Sequence, residues 1–205
     1  MRKTILVVFF LLSNLFLLKA QERALNFSNS KIGITFTPIG NSDVFRINEL
    51  EGAASYDVDK FYTFGFNYLN ELNHWLEFET AFEFSKYSVV IQPSLMPGTV
   101  ISSREARISL VEIPITLRAN FLRYFFVNGG LFADIDVSDE SPVDNQTGLG
   151  SILGLGIKYD FDPGITVFVN PYTKIHSLIP VTDRDSHQRI WENGFRFGVT
   201  YHLRR

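Results

Sequence analysis

The feature that most constrains the fold of this chain is a two-residue alternation of apolar and polar side chains, repeated eight times after residue 21. In the third repeat Leu76, Phe78 and Phe82 share one phase, whereas Glu77 and Glu79 share the other. Successive side chains of a β-strand point to opposite faces, so this period predicts strands rather than helices. The predicted strands cover residues 31–39, 60–69, 74–87, 107–121, 124–135, 148–161, 165–176 and 191–203.

The composition of the two phases favours a barrel with its apolar side outside. Within the predicted strands the apolar phase carries no charged residue and is rich in phenylalanine. An eight-stranded barrel has an interior just wide enough for side chains, which suits small or mutually paired polar groups. Seven phenylalanines of the apolar phase would compete for that space: Phe64, Phe66, Phe78, Phe82, Phe84, Phe195 and Phe197. A soluble barrel of the lipocalin kind, with this phase inward, is the alternative fold.

Aromatic side chains with polar tips lie near the strand ends, where transmembrane barrels have interfacial girdles. These residues are Tyr62, Tyr68, Trp75, Tyr124, Tyr159, Trp191 and Tyr201. The long connections span 40–59, 88–106, 136–147 and 177–190, and the short ones span 70–73, 122–123 and 162–164. Outer-membrane barrels alternate long extracellular loops with short periplasmic turns. The sequence therefore predicts an all-β fold: an eight-stranded antiparallel up-and-down transmembrane β-barrel of the outer membrane, with periplasmic termini.

The first 20 residues resemble a secretory signal peptide. Arg2 and Lys3 precede an apolar run over residues 5–18, and Ala20 suits cleavage before the next residue. We expect residues 21–30 to be a linker and residues 31–205 to be one barrel domain, closed by pairing of the last strand with the first. Pro114 and Pro171 fall inside predicted strands, where each removes a ladder hydrogen bond, so we expect a bulge or local break at each.

Composition narrows the classes of function. The chain has no cysteine, so it has no disulfide, thiolate nucleophile or cysteine-based metal site. Its formal net charge is −3 and it has no long basic run, which argues against nucleic acid as a partner. The expected partners are outer-membrane lipids and, during insertion, the barrel-assembly machinery. No motif for a cofactor is present, so none is expected.

Four segments carry a resemblance to a known family. They read LVEIPITLRANF at 110–121, YFFVNGGLFADID at 124–136, GLGIKYDF at 154–161 and GVTYHL at 198–203. This series resembles the PorT-like family of outer-membrane β-barrel proteins, and the E-I-P step followed by a G-G-containing strand is its most specific element. The resemblance implies an outer-membrane barrel. One branch of that family takes part in protein secretion, and no motif assigns this chain to it.

Charged residues of the polar phase are the candidate site. They are predicted to face the lumen: Glu77, Glu79, Glu83, Glu112, Arg118, Asp134, Lys158, Asp160, Lys174 and Arg196. They could line a charged conduit or fill the barrel as an interior salt-bridge network. Buried charges need partners, and the mixture of signs supplies them. The narrow interior of eight strands favours the filled barrel.

The sequence offers weak candidates for chemistry. His176–Ser177 and Ser186–His187 are adjacent pairs near the last long connection, but adjacent strand residues point to opposite faces, so neither is poised for nucleophilic catalysis. A metal site of His176 or His187 with Asp183 or Asp185 matches no standard spacing. We therefore predict no catalytic residue, metal ligand or cofactor.

The second long connection, residues 88–106, is apolar for an exposed loop, with Val89, Val90, Ile91 and Leu95 among its residues. It could extend strands three and four as a hairpin or form a docking surface for a protein partner. The predicted function is a non-enzymatic outer-membrane barrel with a structural, adhesion, assembly or secretion-accessory role. A narrow solute channel and a lipid A-modifying enzyme are the alternatives.

Overall fold

The computed structural model describes residues 29–46, 55–92, 104–138, 143–182 and 187–203. These residues form eight antiparallel strands that close into one barrel, and β8 pairs with β1 as predicted. The strands are β1 (Ser30–Arg46), β2 (Ser55–Glu71), β3 (Leu76–Gln92), β4 (Arg104–Phe121), β5 (Phe125–Asp136), β6 (Gly148–Phe161), β7 (Ile165–Pro180) and β8 (Gln188–Leu203). The predicted signal peptide and most of the predicted linker lie outside the described residues.

Closure of the barrel pairs every strand with a neighbour on both sides, so no strand leaves an open edge. This is the condition for crossing a hydrocarbon layer with strands, because water cannot pair with backbone groups there. No helix among the described residues is long and apolar enough to cross a membrane.

The outward-facing side chains form an apolar belt around the barrel. Phe66 exposes 60% of its surface and Ile115 exposes 57%. The seven phenylalanines predicted to face outward do so, with Phe78 half-buried and the other six exposed. Their neighbours on the opposite phase, such as Glu77 and Glu79, are buried. The fold is thus the inverted, membrane arrangement and not the soluble barrel.

Strands β1 to β4 continue well beyond this belt, and β8 accompanies β1, because residues 188–194 pair with residues 40–46. Strands β1 to β4 contain 17, 17, 17 and 18 residues, whereas a transmembrane strand needs about 9–11. Above the belt the outward side chains become polar: Lys60 pairs with Ser88, and Ser88 pairs with Arg107 on the next strand. We call residues 40–46, 55–61, 85–92 and 104–110 the raised wall. Strands β5 and β6 contain only 12 and 14 residues, so the wall stands on one side of the barrel.

The short turns show why the chain reverses where it does. Asn73 accepts hydrogen bonds through Oδ1 from the backbone N–H of Trp75 (3.0 Å) and of Leu76 (2.9 Å), an Asx-type turn. Leu122 and Arg123 both have positive φ, of 49° and 65°, as a tight two-residue hairpin turn requires. The three short connections therefore lie together at one end of the barrel, the short-turn end, and the longer connections lie at the other, the long-loop end.

Pro114 and Pro171 interrupt ladders without shifting them. Pro114 keeps its register with β5, but its pairing with β3 lapses over residues 81–82 and 113–114 and then resumes unchanged. The Thr80 hydroxyl donates to the carbonyl oxygen of Pro114 at 2.9 Å. Pro171 opens the β6–β7 ladder over residues 155–156 and 170–171 in the same way. The expected local breaks are confirmed; the register shifts lie elsewhere, between residues 36 and 39, 58 and 60, and 149 and 151.

Candidate functional site

The barrel interior holds nine of the ten predicted lumenal charges as buried side chains. These are Glu77, Glu79, Glu83, Glu112, Arg118, Asp134, Lys158, Lys174 and Arg196. The exception is Asp160, which is exposed at the short-turn end and accepts a hydrogen bond from Thr166 Oγ1 at 2.5 Å. It lies close to the end of β6, where the barrel opens to solvent, so it is outside the buried network.

Ion pairs in the half of the barrel nearer the short turns join β3 to β1 and to β4. Lys31 Nζ lies 2.6 Å from Glu77 Oε1. Arg118 donates from Nη2 to Glu79 Oε2 at 2.8 Å, and Asn120 Nδ2 donates to Glu77 Oε2 at 3.0 Å. Each carboxylate therefore has a cationic partner, which offsets the cost of taking both charges out of water.

The network continues into the middle of the barrel through two more cations. Lys174 Nζ bridges Glu83 Oε2 at 2.8 Å and Glu112 Oε2 at 2.7 Å. Arg196 lies 3.4 Å from Glu83 and 3.6 Å from Glu79. These contacts link residues of β3, β4, β7 and β8 across the lumen, so charged side chains occupy the space that a conduit would need.

Interior aromatic rings fill much of the remaining space, and each faces a glycine directly across the ladder. The pairs are Phe126 with Gly156, Phe132 with Gly150, Phe168 with Gly198, and Tyr172 with Gly194. The Arg118 guanidinium stacks between two of these rings, 4.2 Å from the centroid of Phe126 and 4.7 Å from that of Phe168. Sequence reasoning missed this layer, although glycines on the inward phase of β6 and β8 were its visible signal.

The interior near the long-loop end is apolar, which corrects the expectation of a polar lumen throughout. Seven buried side chains form this apolar cluster: Phe61, Tyr87, Val89, Ile108, Leu110, Val143 and Ile190. Val143 comes from the β5–β6 connection, and Gln146 anchors that segment by donating from Nε2 to the Gln188 carbonyl at 2.8 Å. The raised wall thus has its own small core, because strands above the belt need apolar packing on one face.

A bulge overturns the assumption that His176 and Ser177 point to opposite faces. Ser177 has φ of 48°, and the β6–β7 register shifts there, so both side chains are buried with none of their surface exposed. His176 Nδ1 lies 3.1 Å from Asp134 Oδ2, and its Nε2 lies 3.5 Å from Glu192. The Ser177 hydroxyl lies 3.0 Å from Nε2 of His187. Ser186, Asp183 and Asp185 lie outside the described residues.

Solvent enters the barrel only part-way at the short-turn end. A cavity of about 280 Å³ opens there, lined by Lys31, Glu77, Lys158, Asp160 and other polar residues. Among the described residues, none of those in the Arg118–Glu79 or Lys174–Glu112 pairs lines it. The cavity is therefore a vestibule that stops short of the central network.

The connection at residues 88–106 is a hairpin over its described part. β3 and β4 pair as far as Ile91 and Arg104, and Val89 packs into the apolar cluster instead of facing outward. Residues 93–103 lie outside the described residues. The prediction of a docking surface on this hairpin stays a prediction.

No protein-family model and no curated protein matches the chain. Solved structures are similar to it. Outer membrane protein AlkL, determined by solid-state NMR in DMPC bilayers, matches with a TM-score of 0.50 and 12% identity, over 89% of this chain and 94% of AlkL. OprG from Pseudomonas aeruginosa has a TM-score of 0.46 and 14% identity, over 86% and 97%. Ail, the attachment invasion locus protein of Yersinia pestis, has 0.32 and 13%, over 84% and 97%.

The AlkL match agrees with the closed barrel and the apolar belt: the chain has the fold of eight-stranded outer-membrane β-barrels. At this level of identity the likeness concerns the fold alone. The resemblance to the PorT-like family stays a prediction.

Proposed function

We propose that this chain is a non-enzymatic anchor of the outer membrane that holds a raised β-wall outside the cell and does not conduct solutes. In this proposal the signal peptide exports the chain, the short-turn end faces the periplasm, and the long-loop end faces the exterior. The wall serves a structural, adhesive, assembly or secretion-accessory role. The observation that carries the proposal is a barrel with a filled interior and a raised wall that continues beyond the apolar belt.

The filled interior supports the absence of conduction. Three sets of side chains fill it: the ion pairs around Glu77 and Glu79, the aromatic rings that flank Arg118, and the apolar cluster with Val143 towards the long-loop end. Opening a water path through the centre would have to separate buried ion pairs and displace close-packed rings.

The raised wall supports an interaction outside the membrane. About seven residues of each of β1 to β4 lie beyond the belt, which at about 3.3 Å per residue corresponds to roughly 20 Å along the strand. Among its described side chains, Lys60, Lys86 and Arg107 face outward. The paired strands of the raised wall pack on their own apolar core, so they form a rigid platform beyond the lipid. The 88–106 hairpin, whose base belongs to the wall, is the proposed contact for a protein partner.

Conductance in planar bilayers tests the proposal that the barrel does not conduct solutes. The purified barrel should insert without steady current. A variant with Arg118, Phe126 and Phe168 all changed to alanine keeps the Lys174 ion pairs and the apolar cluster, so it should also stay silent, and a purified porin in the same bilayers shows that the assay detects an open barrel. A matched variant with three outward residues changed to alanine (Ile115, Leu117 and Leu131) should stay silent. Steady unitary currents from most insertions of the unmodified barrel would establish the channel instead.

Site-specific photo-cross-linking in intact cells tests the proposal that the raised wall contacts a protein partner. A photoreactive residue at Ser88 or Arg107, on the outward face of the wall, should give the same discrete protein adduct. The control is Asn73 in a short turn at the opposite end, which should give none of that adduct. If neither wall position yields more adduct than Asn73, the wall is not a contact surface for protein.

The Ser177–His187 contact of 3.0 Å is the one observation that favours a lipid-modifying enzyme. Ser177 is completely buried and His187 is 3% exposed, so a lipid substrate has no route to the hydroxyl in the described structure. We expect a fluorophosphonate to leave the native barrel unlabelled. Labelling that disappears in Ser177→Ala would favour the enzyme.

A further inference from the structure

Three side chains with metal-binding chemistry meet inside the barrel. Glu112 of β4, Asp134 of β5 and His176 of β7 each offer one ligand atom, and these atoms lie within 4.8 Å of one another. None of the three residues exposes more than 2% of its surface. One imidazole and two carboxylates form a mixed nitrogen and oxygen donor set that suits divalent transition metals.

Bringing these three residues together lowers the stability of the fold. Glu112 and Asp134 stand directly opposite each other in the β4–β5 ladder, a position where like charges destabilise a sheet. Across the next ladder Asp134 faces Gly148, which has no side chain. His176 continues the inward phase of Tyr172 and Lys174 on β7, so the imidazole reaches over the glycine strand to Asp134.

Two buried carboxylates, Asp134 and Glu192, have no lysine or arginine as ion-pair partner among the described residues. Four pairs join cations to the other buried acids: Lys31 with Glu77, Arg118 with Glu79, Arg196 with Glu83, and Lys174 with Glu112. Among the ion pairs of the described residues, Asp134 and Glu192 contact only His176. Lys158, the remaining buried cation, lines the vestibule at the short-turn end. A divalent cation beside a neutral His176 would balance Asp134 and Glu192.

A second observation concerns one atom of Asp134. Its Oδ1 is buried and has no hydrogen-bond partner in the described structure, whereas Oδ2 faces the imidazole. A buried carboxylate oxygen without a donor is costly, since it has lost water and gained nothing. A bound cation would satisfy it.

The geometry points to a site for one divalent transition-metal ion, such as Zn²⁺, held by His176 Nδ1 and by carboxylate oxygens of Asp134 and Glu112. The ion replaces the direct 3.1 Å contact between Nδ1 and Asp134. Glu112 keeps its contact with Lys174, because a carboxylate has about four lone-pair sites. This site is independent of the proposed function, since an anchor needs no metal.

The surroundings of His176 match those of a metal-bound histidine. Its other ring nitrogen, Nε2, faces Glu192, and a carboxylate in that position orients a ligating imidazole and strengthens it as a donor. Glu192 is itself held by the hydroxyls of Tyr87 and Tyr172. Glu192 is thus a positioning residue for the site.

The test is metal retention by the full mature barrel. The protein is refolded separately with Zn²⁺, Mn²⁺, Ca²⁺ or Mg²⁺, freed of loose ions by gel filtration, and measured by mass spectrometry of the elements. About one Zn²⁺ or Mn²⁺ per barrel is expected. Asp134→Asn should lose it, and Glu192→Gln should bind it about 10- to 100-fold more weakly, as removal of a supporting group does elsewhere. Glu77→Gln, which removes a buried carboxylate far from the site, should keep it.

If a variant does not fold, X-ray absorption at the zinc edge of the unmodified barrel tests the site instead. The site predicts nitrogen and oxygen ligands at about 2.0–2.2 Å with one imidazole. No retained metal in any arm would overturn the proposal and leave His176 as a hydrogen-bonded bridge between two acids. Equal retention in Asp134→Asn, retention of Ca²⁺ or Mg²⁺ alone, or a zinc shell without imidazole would also overturn it.

Discussion

Because interior aromatic rings pack directly over glycines, a methyl group added at Gly156 is predicted to destabilise the barrel. A Cβ added at Gly156 would lie 2.1 Å from Cζ of Phe126, whereas carbon atoms pack at about 3.5–4.0 Å. The ring would have to move by more than 1 Å, but the Arg118 guanidinium, 4.2 Å from its centroid, blocks one side of it. Overpacking of this kind costs about 1–3 kcal/mol.

Gly129→Ala is the matched control, because Gly129 faces the belt and its added Cβ would meet Leu153 at an ordinary 3.4 Å. Both changes reduce the entropy of the unfolded chain alike, by about 0.4–1 kcal/mol in favour of folding, so their difference isolates the clash. We expect Gly156→Ala to be less stable than Gly129→Ala by about 1–3 kcal/mol.

Urea unfolding of the barrel in lipid vesicles, followed by fluorescence and by the gel mobility of the folded form, measures that difference. Adding Phe126→Leu to Gly156→Ala should recover part of the loss, since the smaller side chain makes room for the methyl group. If the two alanine variants agree within about 0.5 kcal/mol, the ring does not lie over the glycine and the interior packing is wrong.

Two further predictions test the interior and the belt by the same unfolding assay. Arg118→Met should destabilise the barrel by about 1.5–3 kcal/mol because it removes the 2.8 Å bond to Glu79 and leaves that carboxylate only the longer contact with Arg196, and the double variant with Glu79→Gln should regain part of that loss. Arg123→Met, at an exposed turn, should change stability by less than about 0.5 kcal/mol, and an equal effect of the two single changes would contradict the ion pair. Leu131→Arg places a charge on the outward face, where Leu131 is 56% exposed, and should cost about 2–4 kcal/mol in lipid vesicles; a neutral effect would mean that this face is not in contact with lipid.

The strand order, the closure and the outward phenylalanines follow from the sequence because the two-residue period is local and repeats. Leu76 to Phe84 alternate without a break, so a single face assignment fixes every side chain of that strand. The same reasoning placed nine of the ten predicted charges inside.

Other features depend on contacts that no local pattern reveals. Much of the raised wall falls in segments predicted as long connections, with a hairpin extension of strands three and four as one alternative. These segments are strands whose buried Val89 shares a cluster with Val143 from a distant connection, a contact that no local pattern reveals. The inward turn of Ser177 depends on its own positive φ, which alternation cannot anticipate. Pro114 signalled a break correctly but not its form, because Thr80 compensates the open ladder from the neighbouring strand.

Depth measurements by spin labelling test most directly whether the phenylalanine-rich face touches lipid. The chain has no cysteine, so single cysteines can be labelled at Phe66 and Phe197 in the belt and at Lys60 and Arg107 on the raised wall. In lipid vesicles, the belt labels should be accessible to oxygen and shielded from a water-soluble nickel complex, and the wall labels should show the reverse. Belt labels shielded from both reagents, as in a packed protein centre, or open to the nickel complex, would contradict the membrane-facing assignment.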